Sequence, residues 1–143
     1  MAMVQSLSAK KKVLLIDDEK YFCFFVTKNL EHSGEYTVIY ATNPDKGIRM
    51  AKKESPDVIL LDISMPGKDG FKVLEILKGD EKTLSIPVIM LTALDDEEAR
   101  LKASSLYNED YVTKPVSYET LKAKIDKALE GMMEKRVRLH LQR

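Results

Sequence analysis

The chain reads as an α/β protein: a parallel β-sheet of five strands with helices on both faces. Three observations predict it. Short apolar runs alternate with helix-length segments five times over, the order that a parallel sheet with crossover helices requires. The central run, "DVILLDI", is continuous rather than alternating, as expected of a strand covered on both sides. Four of the five runs end in residues that carry chemistry, which gathers polar groups at one edge of the sheet.

The elements follow in order. "MAMVQSLSAK" is polar and aperiodic, and residues 1–11 are expected to form a loose leader. "KKVLLID" is a buried strand ending in acid, and "EKYFCFFVTKNLEHSG" a helix stopped at Gly34. "YTVIYA" alternates as a strand. "TNPDKGIRMAKKES" opens a helix with Asn43 as cap and Pro44 at its first position. After the third strand, "DGFKVLEILKGDE" is helical and "IPVIMLTA" is another buried strand. "DDEEARLKASSLY" places four acids in the first turn of a helix, where the dipole favours them. "DYVTKP" is a short strand closed by Pro115. In the last helix Tyr118, Leu121, Ile125, Ala128 and Leu129 mark one apolar face. The basic tail "GMMEKRVRLHLQR" carries that helix past its expected end, so residues 132–143 read as a solvated helical extension or a severed linker.

Composition narrows the class. A chain of 143 residues, 44% of them hydrophobic, can bury one core. Lys and Arg total 23 and so do Asp and Glu, which argues against nonspecific binding to nucleic acid or anionic membranes. The single cysteine, Cys23, excludes an internal disulfide and reads as a small buried hydrophobe. With no apolar run near the length of a membrane span and no secretory pattern, the cytoplasm is the expected location. His32 and His140 have no spacing suited to a metal.

The strand ends carry the function. The first offers Asp17, Asp18 and Glu19; the third Asp62; the fourth Thr92 and Ala93; the fifth Lys114 and Pro115. Taken singly, each has a simpler role: an aspartate caps a helix, a threonine fills a strand, a lysine is solvated. Four strand ends with compatible chemistry are a constellation. Three carboxylates with one lysine are short of positive charge, which suits a hard divalent cation, Mg²⁺ above all. A carboxylate in such company can also be a nucleophile that takes up a phosphoryl group.

"LLIDDE", "VILLDISMPGKDG", "VIMLTA" and "DYVTKP", in this order and spacing, resemble the receiver domain of two-component response regulators over residues 12–131. The resemblance implies a flavodoxin-like (βα)5 fold with strand order 2-1-3-4-5. It implies that Asp62 accepts a phosphoryl group from a partner histidine kinase or histidine phosphotransfer protein. Asp18, Asp62 and the backbone carbonyl of Ser64 would bind Mg²⁺, with Asp17 acting through water; Mn²⁺ and Ca²⁺ are expected substitutes in binding. Lys114 would pair with the phosphoryl group and Thr92 hydrogen-bond it, while Tyr111 matches an aromatic that turns inward on activation. The output surface would be the face of helix four, strand five and helix five, open to a downstream partner or a homodimer. Such a domain is not an enzyme beyond its own phosphorylation and autodephosphorylation.

One stretch departs from the pattern. The family carries Gly-Ala where this chain has Tyr107 and Asn108, and Asn108 is the expected substitute at a left-handed position. Other classes fit worse. A haloacid-dehalogenase-like phosphatase needs Asp-x-Asp, whereas "DDEK" has adjacent acids, and a flavin carrier's phosphate loop is incompatible with "IDDEKYF". No DNA-reading module fits in the remaining residues, and the chain reads equally as a free-standing receiver or one cut from a larger regulator or hybrid kinase.

Overall fold

The computed structural model describes residues 9–93, 96–107 and 109–142. Strands β1 (Lys11–Ile16), β2 (Tyr36–Ala41), β3 (Val58–Asp62), β4 (Val88–Ala93) and β5 (Asp110–Lys114) alternate with helices α1 (Lys20–His32), α2 (Pro44–Glu54), α3 (Gly70–Lys78), α4 (Glu97–Leu101) and α5 (Tyr118–Leu141). The strands form one parallel sheet in the order β2-β1-β3-β4-β5, the flavodoxin-like arrangement that the sequence predicts. The order in which strands are added reverses between β1 and β3, and the crevice at that switch point is where such sheets hold ligands.

Alternation along the strands sends side chains to two cores. Leu14, Ile16, Ile59, Leu61 and Met90 face α2, α3 and α4, meeting Ile48, Phe71 and Leu74. Val13, Leu15, Leu60, Ile89 and Leu91 face the other way, onto Cys23, Val26 and Leu30 of α1 and Leu121 and Ile125 of α5. Each such aliphatic side chain taken from water contributes about 1.5–3 kcal/mol. Cys23 is fully buried, as read from its apolar setting. His32 and His140 are exposed.

The helix starts follow local chemistry. Asn43 Oδ1 accepts from the Lys46 N–H at 2.8 Å with Pro44 at the first helical position, as the sequence predicts. Asp69, Asp96 and Ser117 cap α3, α4 and α5 in the same way. Helix α1 is the exception: Glu19 occupies the cap position without a side-chain cap bond, because its carboxylate is engaged elsewhere.

Two stretches extend the sequence reading. The segment expected as one helix before β5 begins as α4 and widens into a π-helical turn over Lys102–Leu106. There the Tyr107 N–H reaches five residues back to the Lys102 carbonyl at 3.2 Å, and the Glu109 N–H bonds the Ala103 carbonyl at 2.8 Å. Asn108 lies outside the described residues. Helix α5 runs without a break from Tyr118 through Leu141, past the last buried residue, Ile125.

Candidate functional site

Register places the site. Ile16 pairs with Leu61, Asp62 with Leu91, and Ala93 with Lys114. Asp17, Asp62 and Lys114 therefore leave the ends of β1, β3 and β5 at nearly one level. Behind Asp62 stands Gly70. A Cβ there would collide with the Asp62 carbonyl oxygen and lie 2.6 Å from Ile63 Cα, so only glycine lets α3 start against the end of β3. The Gly70 N–H donates to the Ile63 carbonyl at 2.7 Å, closing the loop that carries Ser64, Met65 and Pro66. Gly67, at φ +87°, makes the turn of that loop.

Three carboxylates converge. Asp17, Asp18 and Asp62 each offer an oxygen within 4.8 Å of the others. Asp17 is fully buried and Asp62 is 5% exposed, whereas Asp18 faces solvent. Asp17 Oδ1 accepts from the Glu19 N–H at 2.9 Å, and Asp62 Oδ1 from the Ser64 N–H at 3.2 Å. Lys114 Nζ donates to Asp17 Oδ2 at 2.7 Å and to Glu19 Oε1 at 3.0 Å; Asp62 Oδ1 is 3.9 Å away. The same ammonium sits 4.3 Å from the centre of the Phe22 ring, a cation–π contact that fixes it from below.

Electrostatics follow from this crowding. Burial, then the charge of Asp17, pushes the Asp62 carboxyl up to about 7, against the opposing pull of Lys114 and the Ser64 N–H. Burial raises Asp17 as well, outweighing its bond to Lys114. Burial pulls Lys114 down, but the hydrogen bond and charge of Asp17, with Asp62 and Glu19, hold it above the ordinary lysine value. Cys23, whose thiol donates to the Asp17 carbonyl at 3.3 Å, is pushed up to about 12 by burial and is no nucleophile at neutral pH. Buried anions outnumbering their cation form the donor set of a hard metal ion. The residues present fit Mg²⁺.

The remaining predicted residues stand close by. Thr92 is buried beside Asp62's strand, its hydroxyl on the Ala93 carbonyl at a long 3.4 Å. Tyr111 pairs in register with Met90, two residues before Thr92, and its half-buried ring packs on the core below α3 and α4. Lys124 Nζ lies 5.9 Å from that ring. Ala93 is exposed at the mouth. A cavity of about 660 Å³ opens there, with Asp62, Ser64, Ala93 and Lys114 on one side and Tyr21 and Phe25 on the other. A second, of about 650 Å³, lies beyond Asp18 and Ser64 toward α4. The sequence reading placed Glu19 at the strand end but not its bond to Lys114, and it missed Phe22. It also missed the Tyr107 ring stacked on Phe71 at 5.2 Å with its hydroxyl on Glu75 at 2.9 Å. An aromatic two residues before the fifth strand's acids was the available signal.

A parallel sheet with an acidic, lysine-bearing crevice at its switch point defines the class: an α/β protein whose strand ends gather carboxylates that could hold a metal ion. The family follows from comparison. The response regulator receiver domain model matches residues 13–126, and the chain belongs to that family. It is 38% identical over 120 residues to protein PilH of Pseudomonas aeruginosa, covering 84% of this chain and 98% of PilH. It is 37% identical over 115 residues to the alkaline phosphatase synthesis transcriptional regulatory protein PhoP of Bacillus subtilis, covering 80% of this chain but only 47% of PhoP. Among solved structures, Vibrio cholerae chemotaxis protein CheY4 superposes with a TM-score of 0.77 at 27% identity, over 85% of this chain and all (100%) of that one. The receiver domain of the Francisella response regulator 1452 gives 0.75 at 30% identity, over 85% and 98%. The chain is thus a receiver domain of two-component signalling, a family whose members work with histidine kinases and output domains. Among the described residues no helix is long and apolar enough to cross a membrane.

Proposed function

We propose that the chain accepts a phosphoryl group on Asp62 from the phosphohistidine of a kinase or phosphotransfer partner and reports it through the face of α4, β5 and α5. The supporting observation is the convergence of Asp17, Asp18 and Asp62 within 4.8 Å, with Lys114 beside them at the end of β3. An Asp62 oxygen attacks phosphorus, the phosphorus–nitrogen bond breaks, and the imidazole leaves as the phosphoryl group settles on the carboxylate. Asp18, Asp62 and the Ser64 carbonyl would hold Mg²⁺, with Asp17 acting through water; when bound, the ion would supply positive charge for the phosphoryl oxygens, and Mn²⁺ or Ca²⁺ would substitute in binding. Lys114, freed from Asp17, pairs with the phosphoryl group, and Thr92 turns its hydroxyl from Ala93 toward it. Tyr111 moves with Thr92. Tyr21 and Phe25, both exposed on α1 and lining the cavity, offer the partner an apolar landing strip.

In this reading residues 12–131 are the working unit, 1–11 a leader and 132–143 an extension; the chain works in the cytoplasm and turns over no substrate beyond its own acyl phosphate. Intact-mass measurement after incubation with acetyl phosphate and Mg²⁺ tests it. The parent gains one phosphoryl group, chelator prevents the gain, and Asp62→Asn shows none. Undiminished labelling of that variant overturns the assignment of Asp62.

A further inference from the structure

Past Leu129, which still packs half-buried against the core, helix α5 loses the sheet but not its form. Its last turns carry Met133, 58% exposed, Val137, 51%, and Leu141, 77%. Gly131 stands just before them, with open space where a Cβ would point. A helical stretch of about a dozen residues with an interior glycine is marginal in water unless its apolar side is packed.

We propose that the tail of α5 pairs antiparallel with the tail of a second copy of this chain. The stripe is self-complementary when reversed. Leu129, Met133, Val137 and Leu141 recur every four residues, so a two-fold axis at the level of Lys135 sets Leu129 against the other copy's Leu141 and Met133 against its Val137. Charge agrees. Glu134 and Arg138 follow the stripe on one flank, and in antiparallel helices like flanks meet, so Glu134 of each copy faces Arg138 of the other. A parallel pair brings that flank against the opposite one, which carries Ala128, Met132 and Arg136; there Glu134 meets Arg136, so the direction is set by the fit at the base of the domain rather than by charge. The base of the domain is shaped for the arrangement. Where α5 passes the amino-terminal edge of the sheet, a cavity of about 380 Å³ opens between Leu129 and Met133 on the helix and Pro56, Ile86 and Pro87 on the loops. The level of Leu129 is where the other copy's Leu141 arrives, so its last turn enters that groove. The contact is isologous and closes on itself. With so short a helix pair it is weak, dissociating in the micromolar range or above.

Sedimentation equilibrium of the full chain over a range of concentrations tests the pairing. A monomer–dimer equilibrium is expected, weakened about tenfold or more by Val137→Glu, an exposed position whose change leaves the receiver's circular dichroism intact. Glu134→Arg alone weakens it, and Glu134→Arg with Arg138→Glu restores it to within about twofold of the parent. Direction is read by cross-linking on a Cys23→Ala background: a mixture of Met133→Cys and Val137→Cys chains forms disulfide heterodimers faster than either chain joins itself. A monomer at every concentration, a dimer indifferent to Val137→Glu, or faster self-joining of each cysteine chain overturns the proposal.

Discussion

Lys114 Nζ lies 2.7 Å from Asp17 Oδ2 and 3.9 Å from Asp62 Oδ1, so the site's half-buried ammonium is held by the neighbour of the acceptor. The arrangement keeps Asp17 charged in a place with no solvent, and it holds Lys114 one short movement away from any group bound to Asp62.

Removing that cation should be costly. In Lys114→Met the Asp17 carboxylate stays buried without its counter-charge, keeping its bond from the Glu19 N–H, a loss on the order of 3–5 kcal/mol at neutral pH. Acid should repair it, because a protonated Asp17 needs no counter-charge. Thermal unfolding in chelator at pH 8 and at pH 5 measures this: the gap between variant and parent should narrow at pH 5. An equal gap at both would show that packing of the lysine stem, not its charge, is what was lost.

Metal-free stability should depend on pH through Asp62. Its folded-state pKa, about 7, is raised above the ordinary aspartate value by burial and by Asp17. A raised folded-state value means a contribution fully present below about pH 4, the unfolded value, and lost as pH rises through 7. In chelator the parent should therefore melt lower at pH 8 than at pH 5.5, and Asp62→Asn should remove much of that slope. Identical slopes in parent and variant would rule out Asp62 as its source.

Mg²⁺ should reverse the strain. The unfolded chain cannot gather the three carboxylates, so an ion at about a hundred times its dissociation constant adds roughly 2.7 kcal/mol, several degrees in a domain of this size. Asp18 is the clean probe: it is exposed, so Asp18→Asn should barely shift the chelator melting temperature while shrinking the Mg²⁺ increment. Melting curves of both proteins at equal ionic strength decide it. A full increment in the variant would remove Asp18 from the ligand set.

What was legible in the sequence tracks how local the cause is. Continuous apolar runs such as Val58–Leu61 specify buried strands whatever surrounds them, and Asn43–Pro44 fixes a helix start within one turn. The strand ends were legible because a parallel sheet aligns them, which is why Asp17, Asp62 and Lys114 meet. What escaped depends on distance in the chain. The Glu19–Lys114 bond spans 95 residues, and no local rule says that a glutamate at a cap position will leave its helix uncapped to serve a lysine on another strand. Tyr107 was read as a departure at a glycine position. Its use becomes visible only when α3 brings Phe71 and Glu75 beneath it and the chain widens into a π-turn to let it reach them.

The switch between Thr92 and Tyr111 gives the last prediction. Both belong to the sheet face covered by α3 and α4: Tyr111 is level with Met90, and Thr92 follows Met90 by two residues. Among the described residues the Thr92 hydroxyl bonds the Ala93 carbonyl, at 3.4 Å, a bond long enough to be given up at little cost. An anionic group on Asp62 offers it a stronger, charge-assisted acceptor, and the hydroxyl's departure leaves space on the side where the half-buried Tyr111 ring packs. The ring has two environments to choose between, and a local charge sets the choice. Proton NMR of the Tyr111 ring, assigned by comparison with Tyr111→Phe, should shift when the parent is treated with beryllofluoride and Mg²⁺. In Thr92→Ala the adduct should still form, seen as the fluorine signal of bound beryllofluoride, while the Tyr111 resonances stay near their untreated positions. If the ring of the parent is unmoved by the adduct, Tyr111 is no switch. If the ring moves equally in Thr92→Ala, the signal reaches Tyr111 by a route that does not use the hydroxyl.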